Sequence, residues 1–266
     1  MNYKKLRDWN SGFHDWVIKR HPTDDKKQNG FMGGFIIGER GQGKSTYCYK
    51  VMAKIYYTLN GYTKTDEEED AYKQALDCMI YHPKDFLDLI MKNKIVRTVT
   101  PVITLDDASM HFSTMLHQKD VKLYDALQGE IVTVRTAVTG LLINSPKRCL
   151  VAKFLREQDD FKGETVIDSG NSSKDFTTWN RKIRYYKWRY FPDEKKYRIQ
   201  IPFQDKYSCY IPDEFYSWYT EKKRYYEILH GIEIADKFMK GNREIFINNK
   251  DKLPKELSDM VSKWKV

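Results

Sequence analysis

"GERGQGKST" spans Gly38 to Thr46 and directly follows the apolar run Phe31 to Ile37, "FMGGFII". Its spacing is G-x-x-x-x-G-K-[ST], with Gly38, Gly43, Lys44 and Ser45 at the fixed places, and its setting reads as strand, loop, helix. Phosphate oxygens need several backbone N–H groups aimed into one concavity, and glycines let the chain wrap that closely. Gly38, Gly41 and Gly43 supply this freedom. The positive end of the following helix faces the phosphates, Lys44 reaches the β and γ groups, and the Ser45 hydroxyl suits Mg²⁺. The whole loop (Gly38, Glu39, Arg40, Gly41, Gln42, Gly43, Lys44, Ser45, Thr46) is therefore the expected ATP-binding segment. The competing reading is a plain glycine turn; the complete pattern in its context favours the cradle.

Outward from the loop, Cys48, Met52, Ile55 and Leu59 recur at helical spacing until Asn60–Gly61. Thr65 with Glu68 reads as a capping box for a second helix reaching about Ile80, and the acidic run Asp66 to Asp70 reads as a solvated helix start. "PKDFLDLIMKN" (Pro83–Asn93) reads as a short third helix. "TPVITLDDAS" (Thr100–Ser109) is a buried-type strand ending in two aspartates. "KLYDALQGEIVTVRTAV" (Lys122–Val138) predicts a helix, "GLLINSP" (Gly140–Pro146) a strand, and "KRCLVAKFLRE" (Lys147–Glu157) helical spacing again. Such alternation predicts a mainly parallel sheet covered on both faces, an α/β three-layer P-loop NTPase.

A cradle alone hydrolyses nothing; a carboxylate must stand at the end of another buried strand. Asp106 is the candidate to hold magnesium through water, and Asp107 the candidate to polarise the attacking water. Many hydrolysing P-loop enzymes have glutamate at that second place, and an isolated "DD" after a strand also reads as a helix cap. Asn144, ending "GLLIN", fits a γ-phosphate sensor on an additional strand between loop strand and aspartate strand; its alternative is an ordinary turn residue. Arg135, with Arg148 and Arg156 nearby in sequence, is a candidate to stabilise transition-state charge, within one subunit or in a neighbour.

"GERGQGKST", "VITLDDAS", the "VRT" of Val134–Thr136 and "LLINSP" resemble, in that order, the compact P-loop ATPases of archaeal viruses and plasmids described as DnaA-like or AAA-type. The resemblance covers roughly residues 30 to 160. It implies Mg–ATP as cofactor, DNA as partner, replication initiation or loading as the process, and rings in which a neighbour's arginine completes the site. "IPDEFYSWYTEKKRYYEIL" (Ile211–Leu229) is a weaker echo of DNA-pumping ATPases of the HerA and FtsK type, which carry a glutamine near the Asn144 position that this chain lacks.

Composition agrees. The formal charge is +9 over 266 residues, favouring polyanionic partners. Cys48, Cys78, Cys149 and Cys209 stand far apart without a CxxC pair, which suits a reducing cytoplasm, the host cell's if the protein is viral. Neither a signal peptide nor a bilayer-spanning run is legible, so no membrane partner is expected.

Residues 2 to 20 carry Leu6, Trp9, Phe13, Trp16 and Val17 at near-helical spacing, with the two tryptophans reading as core anchors rather than an adenine shelf. "DSGNSSKD" (Asp168–Asp175) reads as a loop. Beyond it "RKIRYYKWRYFPDEKKYRIQIPF" (181–203) forms two strands around the turn "PDEKK". Alternation sets Ile183, Tyr185, Lys187 and Arg189 on one side, and Arg184, Tyr186, Trp188 and Tyr190 on the other. This is either the fifth strand with its edge hairpin or a contact surface for DNA, including single-stranded DNA. Helical residues follow from Asp213 to Met239, then "GN", an apolar "IFI" and a last helix after Pro254. The expected organisation is an N-terminal helix and linker (1–29), an ATPase core with the hairpin (30–211) and a C-terminal helical segment (212–266). Beside the replication ATPase stand three rivals with the same loop: a DNA translocase or packaging motor, a small-molecule kinase, and a DNA-binding switch that does not turn nucleotide over.

Overall fold

The structure, a computed structural model, describes residues 5–23, 30–114, 120–158, 160–169, 179–191, 196–237 and 243–264. One mixed sheet runs in the order β2-β3-β4-β1-β5-β6-β7. Its strands are β1 (Met32–Ile37), β2 (Met79–Ile80), β3 (Thr100–Leu105), β4 (Val138–Asn144), β5 (Phe161–Ser169), β6 (Asn180–Phe191) and β7 (Lys196–Ser208). The first five pair in parallel; β6 and β7 return antiparallel on the β5 side. With β4 inserted between β1 and β3, this is the additional-strand form of the P-loop fold.

The handedness of parallel crossovers decides the layers. The connection from β1 moves outward across the sheet to β2, so its helix α2 (Lys44–Leu59) lies on one face, joined there by α1 (Gly12–Arg20). The two are tied by His14 Nε2 and Thr58 Oγ1 at 2.9 Å. The returning connections place α4 (Pro83–Val96), α5 (Val121–Thr133) and the short α6 (Lys153–Arg156) on the other face, after α3 (Glu68–Asp77) has followed α2. Lys94 joins α4 to α5 through Glu130 and Thr133, and Tyr124 packs edge-on against Phe154 between α5 and α6. Two glycines let α1 settle on the sheet: a Cβ at Gly140 would come within 2.9 Å of Val17, and one at Gly34 would touch Leu142 and Phe13.

Several local expectations change. The N-terminal helix is shorter, because a one-turn 3₁₀ segment at Leu6–Asp8 gives way to extended chain before Ser11 caps α1 at its true start. Trp9 is indeed buried, its indole N–H donating to the Lys206 carbonyl at 2.8 Å. The capping box at Thr65 does not form: Glu68 is buried and accepts instead from the Leu6 N–H at 2.8 Å, so one member of the acidic run is a core residue. The second helix ends at Asp77, and Met79–Ile80 pair with β3 as an edge strand. "KRCLVAKFLRE" forms only a 3₁₀ turn and four helical residues. The fifth strand is β5, which helical periodicity upstream and loop composition downstream hid; Asp168 and Ser169 belong to it, while 170–175 lie outside the described residues. The basic aromatic segment supplies the sixth and seventh strands; turn residues 192–195, the Tyr190 side chain, and the "GN" at 241–242 also lie outside the description. "IFI" falls within helix α8 (Arg243–Asn248).

The chain divides into two compact units, residues 1–215 and 216–266. Within the second, the helix α7 (Asp213–Lys237) from Tyr216 onward, α8, and α9 (Lys255–Ser262) close a small core of Ile232, Leu257 and Val261 with Phe246 and Trp264 around it.

In the first unit a buried carboxylate ties four elements together. Asp205 of β7 accepts from Ser11 Oγ at 2.6 Å, Gly12 N at 2.7 Å and Tyr47 Oη at 2.6 Å, and Tyr185 of β6 donates to Tyr47 Oη at 2.8 Å. Burial raises its pKa, against the pull of those donors. Asp205→Ala should therefore lose about 2–4 kcal/mol in urea unfolding, since three buried donors lose their acceptor. The native group binds its proton at higher pH than the unfolded one. Wild-type stability should thus fall as pH rises from the ordinary aspartate range through the raised native value, a slope that Asp205→Asn should remove.

Candidate functional site

Parallel register brings the carboxyl ends of β3, β4 and β1 level. Ile36 is opposite Asn144, and Ile143 opposite Leu105, so the chain leaves all three strands at one edge. Backbone bonds continue the alignment past the strands: Ser145 N–H donates to Ile36 O at 3.1 Å and Ala108 N–H to Asn144 O at 2.9 Å. The loop 38–43 rises from this edge and enters α2 at Lys44.

The glycines are required where they stand. Gly43, the residue before α2, has φ 79° and offers no side-chain cap, which leaves the first amides of the helix to whatever lies in front of them. Gly38 has φ 149°, and a Cβ there would come within 2.0 Å of Thr165 Oγ1. Lys44 is buried and bends back over the loop, its ammonium donating to Gly38 O at 2.9 Å and Glu39 O at 2.8 Å. Glu39, Arg40 and Gly41 form the exposed crest, with Gln42 Nε2 donating to Glu39 Oε2 at 3.0 Å. Ser45 and Thr46 begin α2, half-buried.

Beside this loop three predicted residues meet. Asn144, fully buried, donates from Nδ2 to Ser45 Oγ at 3.0 Å and to Asp106 Oδ1. The amide orientation is fixed by the carboxylate, which needs a donor facing it. Asn144 Oδ1 is then buried without a hydrogen-bond partner. A hydroxyl, a carboxylate and an unsatisfied amide oxygen thus converge at the lysine's side of the loop, an oxygen-rich donor set of the kind Mg²⁺ and its waters accept. Asp106 also raises the pKa of Cys48, after the larger effect of burial, keeping that thiol neutral.

Asp107 lies one step past Asp106 with left-handed backbone, φ 46°, and is half-buried. Few non-glycine residues adopt that conformation, and it turns the second aspartate off the strand direction. Arg135 does not join the cluster. It is exposed in the turn Val134–Thr136 that leads into β4, whereas Asn144 ends that strand, and the six steps of about 3.3 Å from Val138 to Asn144 alone span on the order of 20 Å. Arg148 follows β4 at the correct edge, its guanidinium 5.9 Å from the Phe35 ring centroid and bonded to the Arg156 carbonyl.

Motif reading missed the residues beneath the loop. Tyr207 of β7 donates its hydroxyl to Gly43 O at 3.1 Å and lies 3.4 Å from Gln42 O. Cys209, just past β7, lies so close that a Cβ on Gly43 would meet its sulfur at 2.7 Å, and Thr165 Oγ1 donates to Ile37 O at 3.1 Å. A phenol that holds loop carbonyls downward leaves the loop amides facing the other way. Nothing in the sequence marks Tyr207, because its partner lies more than a hundred residues away and the chain is rich in tyrosine.

No family model matches the chain. It is similar to an uncharacterized protein, B-251, of Sulfolobus spindle-shape virus 1, with 26% identity over 229 residues that cover 85% of each chain. Among solved structures it is similar to the N-terminal domain of zonular occludens toxin from Neisseria meningitidis (13% identity, 71% of this chain and 98% of that one, TM-score 0.38). A KaiC-like protein from Pyrococcus horikoshii OT3 gives 11% identity, 64% and 89% coverage and a TM-score of 0.33. The flagellar accessory protein FlaH from Methanocaldococcus jannaschii gives 10% identity, 64% and 89% coverage and 0.31. These likenesses are distant, and the fold class rests on the strand order and loop described above.

Tyr207→Phe removes the hydroxyl and keeps the ring. If it positions the loop, nucleotide affinity measured by calorimetry should weaken about two- to tenfold, the worth of one net hydrogen bond, with the circular dichroism spectrum unchanged.

Proposed function

We propose that the protein is a P-loop ATPase that binds Mg–ATP through Gly38 to Thr46, hydrolyses it, and uses the cycle on DNA in replication initiation or loading for an archaeal virus or plasmid. The observation that carries this reading is the meeting of Ser45, Asp106 and Asn144, a buried amide linking hydroxyl to carboxylate, beside the loop over which Lys44 is folded. The viral relative supports the setting, and the basic charge supports the polyanionic partner.

In this reading the loop amides and the start of α2 receive the phosphates, and Lys44 exchanges its two carbonyl partners for the β and γ oxygens. Ser45 and Asp106 would hold Mg²⁺, which when bound would neutralise phosphate charge. Asp107 orients the attacking water and takes its proton. Asn144 contacts the water or the γ-phosphate through the oxygen that now lacks a partner. Arg135, remote from its own loop, would act only at a neighbour's site, consistent with a ring of subunits.

Wild type should release phosphate from Mg–ATP, faster with DNA, and Lys44→Ala should release none above background. Equal rates for the two would withdraw the enzyme assignment. Asp107→Asn should lower turnover at least about a hundredfold while retaining ATP affinity; lost affinity would instead make Asp107 a binding residue.

A further inference from the structure

Strand β5 accompanies β6 only as far as the pair Lys162–Tyr186. Beyond it, β6 from Lys187 and β7 up to about Ile201 continue as a ribbon of two strands. Among the described residues no third strand pairs with this ribbon. Trp188 is 53% exposed, Ile199 55% and Tyr197 65%, while Lys187, Arg189 and Arg198 are exposed as well.

The ribbon is sorted by face. Lys187 pairs with Gln200, Trp188 with Ile199, and Arg189 with Arg198; directly paired residues share a side and successive residues alternate. Lys187, Arg189 and Arg198 therefore line one face, and Trp188, Ile199 and Tyr197 the other. The sorting depends on a bulge: from Tyr185–Phe203 to Lys187–Gln200, β6 advances two residues and β7 three. The Lys187 ammonium lies 5.3 Å from the Phe161 ring centroid, and Phe161 packs edge-on against Trp16 of α1, so the cationic face continues the α1 side of the sheet.

From 187 to 201 the sequence has five basic residues and two acids, Asp193 and Glu194, both in the turn segment. A polyanion laid along the ribbon would meet this positive excess. Exposed rings one residue away from the cations favour a particular anion, since duplex DNA hides its base faces and an unpaired strand presents them.

We propose that the β6–β7 arm is a single-stranded DNA-binding element, with Lys187, Arg189 and Arg198 on the phosphates and Trp188 and Tyr197 stacking on bases. The inference rests on the reading of the protein as an ATPase that acts on DNA. Because phosphates carry no base identity and every base offers a face to stack on, binding is independent of base sequence.

The test is anisotropy of labelled oligo-dT with the full chain and no nucleotide. The triple variant K187A/R189A/R198A should bind at least about tenfold more weakly at roughly 0.1 M salt, and its log–log salt slope should be shallower by about 2. Trp188→Ala should weaken binding at least about fivefold with the slope unchanged. A duplex of equal length should bind less tightly than oligo-dT. Wild-type affinity in these variants overturns the proposal, as does tighter binding of the duplex. So does a result in which the arm changes affect only adsorption to phosphatidylglycerol vesicles. Because the changed residues are exposed, nucleotide affinity should remain that of wild type. Arm-dependent oligo-dT binding without phosphate release above Lys44→Ala would sink the ATPase reading alone; normal phosphate release with arm-independent DNA binding would sink this one alone.

Discussion

A single buried amide, Asn144, holds hydroxyl and carboxylate together at the loop's edge. Its Nδ2 reaches Ser45 on the first turn of α2 and Asp106 beyond β3, so helix, loop strand and aspartate strand are fixed relative to one another at their working ends. This is possible only because β4 lies between β1 and β3 in parallel register. Inside a protein a donor shared by two acceptors is costly to replace, since either acceptor left alone would be desolvated without compensation. The rest of the architecture keeps that junction in place.

Support comes from the side of the sheet that carries no sequence motif. Strand β7 brings Asp205 to the N-terminus of α1 and to Tyr47 of α2, and further along brings Tyr207 under Gly43. Lys50 of α2 reaches the carbonyls of Ser208 and Tyr210 at 3.1 Å, in a setting buried enough to lower its pKa to about 8. Loop, helix and strand are thus held by one set of buried polar contacts, and the strand that holds the loop from below is the one that runs out into the exposed arm.

Much of the cradle was legible without coordinates. The spacing of glycines, lysine and serine is local, and local chemistry fixes its conformation, as the positive φ values at Gly38, Gly41 and Gly43 show. The placement of Asp106 and Asn144 at strand ends followed from runs of buried-type residues. What failed were segments whose local preference was overruled by distant partners. Glu68 accepts from the buried Leu6 N–H instead of capping its helix, and Asp168 and Ser169, read as loop, end a strand that pairs with β1 and β6.

The sequence by itself determined the glycine-rich loop, the strand before it and the helix after it, and the chemical types at the site, since these depend on backbone freedom and periodicity over a few residues. Only the tertiary structure decided which of the candidates stand together: it joined Asn144 to Ser45 and Asp106, left Arg135 at the far end of its strand, and placed Tyr207 beneath the loop. It also sorted cations from rings on the arm, where a one-residue bulge sets which way every later side chain points. Such choices depend on register between segments far apart in the chain, and no local pattern encodes a register.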